Sequence, residues 1–262
     1  MAMARDQVEA LTERDVHDPI TPEILLQVLG APPFVPVPEL ISIRDLVAIG
    51  VPQALDWLSA DVKRVFDIRT LAEREKHPDP EIEGVVNTWF EGTGLHAPPD
   101  LNKFVEAGGE SGVRKEYLKV LDLYRPTFRA ILEHARDKPH EPFLFHCTAG
   151  RDRTGVMSGL LQSLAGTGPE DARFDYMLSR IGIEPAREQL LQHARGGGGV
   201  VFNNHPGFCN MCSLRTSCWD LFVAAVQEEH GGWEGYVLTT LGFSSDDLAR
   251  IKTNLSGRED PA

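Results

Sequence analysis

The sequence predicts an α/β fold, a central and mainly parallel sheet flanked by helices. Short strand-like runs alternate with longer stretches at helical spacing, the pattern of parallel strands joined by crossover helices. One alternation is especially clear. The apolar run Pro142-Phe143-Leu144-Phe145 passes through a polar, glycine-containing loop into the helix-like run Val156 to Leu161. The chain has 262 residues, 42% of them hydrophobic, enough for one well-buried core.

Residues 1–20 are polar and are expected to form a disordered tail. Residues 21–257 are expected to form a single domain, with a second short tail at 258–262. Pro32, Pro33, Pro36 and Pro38 make an extended segment, Leu40 to Ile43 a short strand, and Ala54 to Ser59 a helix. Val62 to Ile68 and Gly84 to Phe90 read as strands from their β-branched and aromatic residues. Glycine and proline recur from 91 to 112, the mark of a long loop, and the stretch 91–136 is read as a lid. Apolar residues between Glu116 and Arg136 fall at helical spacing, and Pro126 should kink or split that helix. The C-terminal part reads as helical: Glu170 to Ser179, Pro185 to Ala194, and Trp219 to Glu229. The glycine run from Gly196 to Gly199 reads as a flexible break between them, and Gly231-Gly232 ends the third of these helices. Ser244 or Ser245 caps a last helix beginning near Asp246.

The run from His146 to Gly155, His-Cys-Thr-Ala-Gly-Arg-Asp-Arg-Thr-Gly, carries the chemistry. A loop of that length between strand and helix can curl so that the N–H groups of Thr148, Ala149, Gly150 and Arg151 point inward. Such a concavity at a helix N-terminus binds a tetrahedral anion. Cys147 would lie beneath the anion, and its thiolate is favoured by the amide dipoles and by Arg153. Arg153 presents a planar fork that matches two phosphoryl oxygens. Thr154 can donate a hydrogen bond to the cysteine sulfur, Gly150 and Gly155 permit tight curvature, and His146 fixes the loop through its ring N–H. Fixed N–H donors can stabilise a transferring phosphoryl group on their own, so neither metal nor cofactor is expected. The chemistry indicated is attack by Cys147 on a phosphoric monoester, a cysteinyl-phosphate intermediate, and hydrolysis by water.

These residues resemble the signature of the protein tyrosine phosphatase superfamily, His-Cys-x-x-Gly-x-x-Arg-(Ser/Thr)-Gly. More narrowly they resemble the atypical tyrosine/serine phosphatases of bacteria and fungi, whose loop carries Lys-Asp-Arg where this chain has Arg151-Asp152-Arg153. Ser42-Ile43-Arg44-Asp45-Leu46, Asp67-Ile68-Arg69-Thr70-Leu71-Ala72-Glu73, and the segments from Gly231 and Leu241 are similar to further family patterns, so the likeness spans roughly 40 to 255. The resemblance implies a tyrosine phosphatase-like fold and hydrolysis of phosphotyrosine, with phosphoserine and phosphothreonine also in range. Phosphoinositides or inositol phosphates are the alternative substrates, with Arg151 touching a second phosphate. A non-catalytic phosphoprotein-binding module is the alternative of another class.

The Trp-Pro-Asp loop that supplies the acid in many relatives is absent from this chain. Asp152 is the first candidate acid, because relatives with Lys-Asp-Arg use that aspartate. Asp67 is the second, at the end of a neighbouring strand, with Asp79 and Asp100 in reserve. Asp67 and Arg69 are also placed among the substrate-binding residues, although Asp67 and Glu73 could instead hold Arg69 or Arg153 in place. His205, Cys209, Cys212 and Cys218 invite a zinc reading, but only one Cys-x-x-Cys is present, and ordinary packing is the expectation.

The formal charge of −13 argues against nucleic acid as a partner, and no apolar run is long enough for stable membrane insertion. The first residues lack the apolar core of a signal peptide, and a reduced Cys147 suits a reducing compartment. The expected location is cytoplasmic, and the expected partner is a phosphorylated protein, small molecule or lipid.

Overall fold

The computed structural model describes residues 3–29, 58–94, 97–198 and 205–256. The proline segment, the strand at 40–43 and the segment Ser42 to Leu46 lie outside the described residues, as does most of the helix at 54–59, whose end appears as a helical turn at 58–61.

Three short strands form a parallel sheet. β1 (Arg64–Asp67) is central, with β2 (Val86–Trp89) on one side and β3 (Phe143–His146) on the other. Successive side chains of a strand point to opposite faces. Accordingly Val65 joins a small core with Leu58 and Val62, while Phe66 joins the main core. The register sets Asp67 beside both Trp89 and His146, so all three strands end together. In open parallel sheets the crevice outside the carboxyl ends of the strands is where ligands bind.

Helices α1 (Arg5–Thr12) and α2 (Pro22–Leu29) precede the sheet, and α3 (Leu71–Lys76) follows β1. α4 (Glu110–Leu123) and α5 (Arg125–Asp137) lead into β3. After it come α6 (Asp152–Ala165), α7 (Pro169–Gly182), α8 (Arg187–Gly198), α9 (Gly207–Cys212) and α10 (Thr216–His230). The chain ends its described part with the short α11 (Gly232–Gly235), a π-turn at Tyr236–Thr240, and α12 (Ser245–Ser256). The mainly parallel α/β architecture expected from the sequence is present.

α6 is the central helix. Val156, Met157, Leu160 and Leu164 are buried, with α4, α7 and α12 packed around them. Its glycines permit this closeness. A Cβ at Gly155 would stand 2.9 Å from the Tyr176 ring, and one at Gly159 2.7 Å from Trp219. Those two rings are stacked, with centroids 4.2 Å apart.

Pro126 splits the predicted helix as expected. α4 stops at Leu123, Tyr124 departs from helical geometry, and Pro126 falls in the first turn of α5, where a missing N–H is harmless. Gly231, at φ +75°, ends α10, and Ser244 caps α12 by accepting from the Asp247 N–H at 3.1 Å.

Three expectations need correction. Where a disordered tail was expected, residues 3–20 are ordered in part by α1, which buries Val8 and Leu11 against Ile181 and Val28. One apolar stripe two turns long is too short to read alone, and α7 supplies its partner face. The stretch 91–136 is not a lid as a whole, because α4 and α5 contribute Tyr117, Leu121, Phe128 and Ile131 to the main core. Even ahead of α4, short 3-10 turns at Leu101–Phe104 and Ala107–Gly109 bury Leu101 and Phe104. The glycine run does not break the chain where expected, since α8 continues to Gly198.

Candidate active site

The loop at the centre of the site leaves β3 after His146 and enters α6 at Asp152. Gly150 turns it with φ +66°, a conformation that strains any residue carrying a Cβ. Among the described residues, the backbone N–H groups from Thr148 to Arg151 have no protein acceptor. The first turn of any α-helix adds further N–H groups without intrahelical partners. Unpaired donors at a positive helix end make a ready anion cradle.

Cys147 is buried beneath this loop but lines two adjoining cavities, of about 290 and 190 Å³, which share Glu73, Cys147, Thr148 and His193. Thr154 Oγ1 donates to its sulfur at 3.2 Å. Arg153 lines the larger cavity and is held from behind. Its Nη1 and Nη2 donate to the two Glu73 oxygens at 2.7 and 2.8 Å, and Nη1 also reaches the Ile68 carbonyl at 3.2 Å. The Thr148 hydroxyl donates to the same carboxylate. Burial alone would raise the Glu73 pKa, but hydrogen bonds from Arg153, its charge, and the Thr148 and Thr70 donors hold the carboxyl well below the usual range. Glu73 sits where it does because Thr70 caps α3, accepting from the Glu73 N–H while Glu73 reaches back to the Thr70 N–H.

Asp152, the first residue of α6, also borders the larger cavity. Its Oδ1 accepts from the Tyr117 hydroxyl at 2.7 Å and from Arg151 Nε at 2.9 Å. Tyr117 pairs in turn with Tyr176 at 2.6 Å. Burial, with the Asp152 and Tyr176 charges next, holds the Tyr117 phenol far above its ordinary value, so it remains a donor. The other Asp152 oxygen has no hydrogen-bond partner among the described residues.

A profile of the tyrosine phosphatase family matches residues 53–257, which span the sheet, the Cys147 loop and the C-terminal helices. The chain belongs to the tyrosine phosphatase family. It is also similar to a tyrosine-protein phosphatase of Nostoc commune, with 29% identity over 157 residues, or 60% of this chain. The match covers 53% of that protein, so the chain spans about half the length of the curated relative it matches.

Within this family member, the other charged residues singled out from the sequence have different places. Asp67 is buried and accepts from Arg69 at both oxygens and from Arg74 Nε at 2.8 Å. It borders neither cavity. Arg69 is also buried, and it spends its guanidinium on Asp67, on Asp79 at 2.6 Å and on the His77 carbonyl at 2.8 Å. Both residues brace the strand end; Arg69 also lines the smaller cavity with Cys147, whereas Asp67 does not. Asp79 belongs to the same cluster and meets His146 Nε2 at 3.1 Å. Burial would raise the Asp79 pKa, but the bond and charge of His146, then Arg69 and Arg74, hold it low. His146 Nδ1 lies 3.2 Å from the Cys147 carbonyl at the loop's entrance. Asp100 caps a 3-10 turn.

Arg151 lines the larger cavity and is also engaged by protein groups. Besides Asp152, it donates to the carbonyls of Cys212 at 2.5 Å and Met211 at 3.1 Å. It ties the loop to α9. The four residues of the zinc reading also part company. His205 faces Asn102, Cys218 faces the Gly108 carbonyl, Cys212 is buried near Arg151, and Cys209 meets His17 and Asp15.

Tyr117, Tyr124, Tyr176 and His193 escaped the sequence reading. Tyr117 was the most accessible, as an aromatic hydroxyl on the buried face of a predicted helix. His193 carried no sequence signal.

Proposed function

We propose that the chain hydrolyses phosphoric monoesters, phosphotyrosine foremost, through a phosphate bound to Cys147. The observation that supports this best is the unpaired N–H loop above a sulfur that accepts from Thr154, with Arg153 aligned by Glu73. The cavity beside it favours an aromatic ester, since Val16, Phe104, Val113, Val120, Leu190 and Leu191 form an apolar wall suited to a ring.

The thiolate of Cys147 attacks phosphorus, and the bond to the ester oxygen breaks. The free Asp152 oxygen gives its proton to the departing phenolate, while loop N–H groups and Arg153 hold the equatorial oxygens. A water then attacks the thiophosphate and passes a proton back to Asp152. Sulfur leaves with the support of Thr154, and inorganic phosphate departs. Arg151 is engaged by α9, which removes the support for phosphoinositides, and the joint presence of Cys147, Arg153 and Thr154 disfavours a mere phosphoprotein binder.

The experiment is a panel of phosphotyrosine, phosphoserine and phosphoinositide substrates. Turnover is expected to be highest on phosphotyrosine and to fall by about 10⁴-fold or more in Cys147→Ser, which should still bind orthovanadate or phosphate. Retained turnover in that variant would remove the nucleophile. Asp152→Asn is expected to slow aryl phosphates with poor leaving groups by about 10²-fold or more while sparing activated ones. Equal slowing of both would assign the acid elsewhere.

A further inference from the structure

On the outer side of the cleft wall, the turn between α1 and α2 meets the start of α9. Three donors of different chemistry converge there. Cys209 Sγ lies 2.8 and 2.9 Å from the Asp15 oxygens and 3.2 Å from His17 Nδ1. His17 Nδ1 lies 3.4 Å from Asp15 Oδ1. The ligand atoms of the three residues all fall within 4.8 Å of one another.

We propose that Asp15, His17 and Cys209 form a binding site for a divalent cation of the zinc type. A carboxylate, an imidazole and a thiol together suit zinc better than calcium or magnesium, which prefer oxygen. A tetrahedral zinc with bonds of roughly 2.0–2.3 Å separates its ligand atoms by roughly 3.3–3.6 Å. The His17–Asp15 edge already has that length, the sulfur–His17 edge needs to open by about 0.3 Å, and the sulfur–Asp15 edge by about 0.7 Å. Arg215 lies 3.6 Å from Asp15 Oδ2, and Oδ1 accepts from the His17 N–H at 2.9 Å, so the metal would take the Oδ1 lone pair that now faces the Cys209 thiol. His17 is about half exposed, so solvent can take the fourth position.

The site is held in place before any ion arrives. Arg180, fully buried, donates to the carbonyls of Arg14, Asp15 and Asp18, and Arg187 donates to that of Val16 at 3.1 Å. The Val16 N–H donates to Ser213 Oγ at 3.0 Å, joining the turn to the end of α9. Binding would form a metal–sulfur bond and release the thiol proton to solvent. In the free protein the Cys209 thiol donates its proton to Asp15, at 2.8 and 2.9 Å from the two oxygens. The ion would clamp the turn carrying Val16, a wall residue of the larger cavity, to the helix whose carbonyls hold Arg151. None of this depends on the phosphatase reading.

The test uses the full chain without a histidine tag, carrying Cys147→Ser so that the loop thiol cannot compete. Zinc is titrated by calorimetry, and cobalt(II) is added as a spectroscopic probe. One equivalent should bind with release of protons, cobalt should show a thiolate charge-transfer band, and the thermal midpoint should rise with zinc. Cys209→Ser should abolish the band, and the exposed change His17→Ala should weaken zinc binding about tenfold or more. No binding at micromolar zinc, a cobalt complex without the thiolate band, or unchanged affinity in both variants would overturn the site.

Discussion

Two arginine–carboxylate clusters lie on either side of the Cys147 loop, built from the same residue types but put to different use. In one, Arg153 leans on Glu73 along one edge and borders the larger cavity with Cys147. In the other, Arg69 is enclosed by Asp67, Asp79 and a carbonyl, with His146 and Arg74 on the same carboxylates. The two differ in exposure: the Arg153 side chain is 14% exposed and its Nε has no partner among the described residues, whereas that of Arg69 is 3% exposed and its Nε is held by Asp67.

The contrast is tested most severely at Arg153. Arg153→Lys keeps the charge but loses the fork, and kcat/KM on phosphotyrosine is expected to fall about 10³-fold with little change in folding. If lysine serves as well, the fork geometry is irrelevant. Arg69→Met should behave in the opposite sense. It leaves Asp67 and Asp79 buried with less compensation, which should destabilise the fold by about 3–5 kcal/mol in denaturant titrations. The activity of the remaining folded protein should change far less than in Arg153→Lys. A selective loss of kcat in a stable Arg69→Met protein would return that residue to the substrate.

The smallest effect concerns acid. Glu73 is held below its unfolded value, near 4.3, so its contribution to stability is whole above that pH and is lost as pH falls through the folded value. Asp79 follows the same sign. The denaturation midpoint of the wild type should therefore decline below about pH 4. Glu73→Gln should start lower at neutral pH and show a shallower acid decline. Parallel acid curves for the two proteins would show that Glu73 does not titrate with folding.

The Cys147 loop was legible because its parts are neighbours in the chain: strand, turn glycine, nucleophile, arginine and helix start follow one another. The bracing role of Asp67 and Arg69 was less legible for the complementary reason. Their segment correctly indicated a strand end beside the loop, but sequence does not show which hydrogen-bonding atoms are already used. Tyr117 and Tyr176 stand 35 residues before and 24 residues after Asp152, and only the packing of α4 and α7 on α6 brings their hydroxyls to it. α1 was missed because its burial depends on α7, which lies more than 150 residues downstream.

The contact between Gly155 and the Tyr176 ring closes a circuit. From Asp152 the chain runs three residues to that glycine, across to one phenol, on to a second, and back to the carboxylate where it began. Thickening the helix at this point would push on the ring and displace the far side of the loop. Gly155→Ala would thus disturb the Asp152 carboxylate, the proposed acid, from a position that never meets the ester, so this glycine serves the packing of the helix as well as the curvature of the turn.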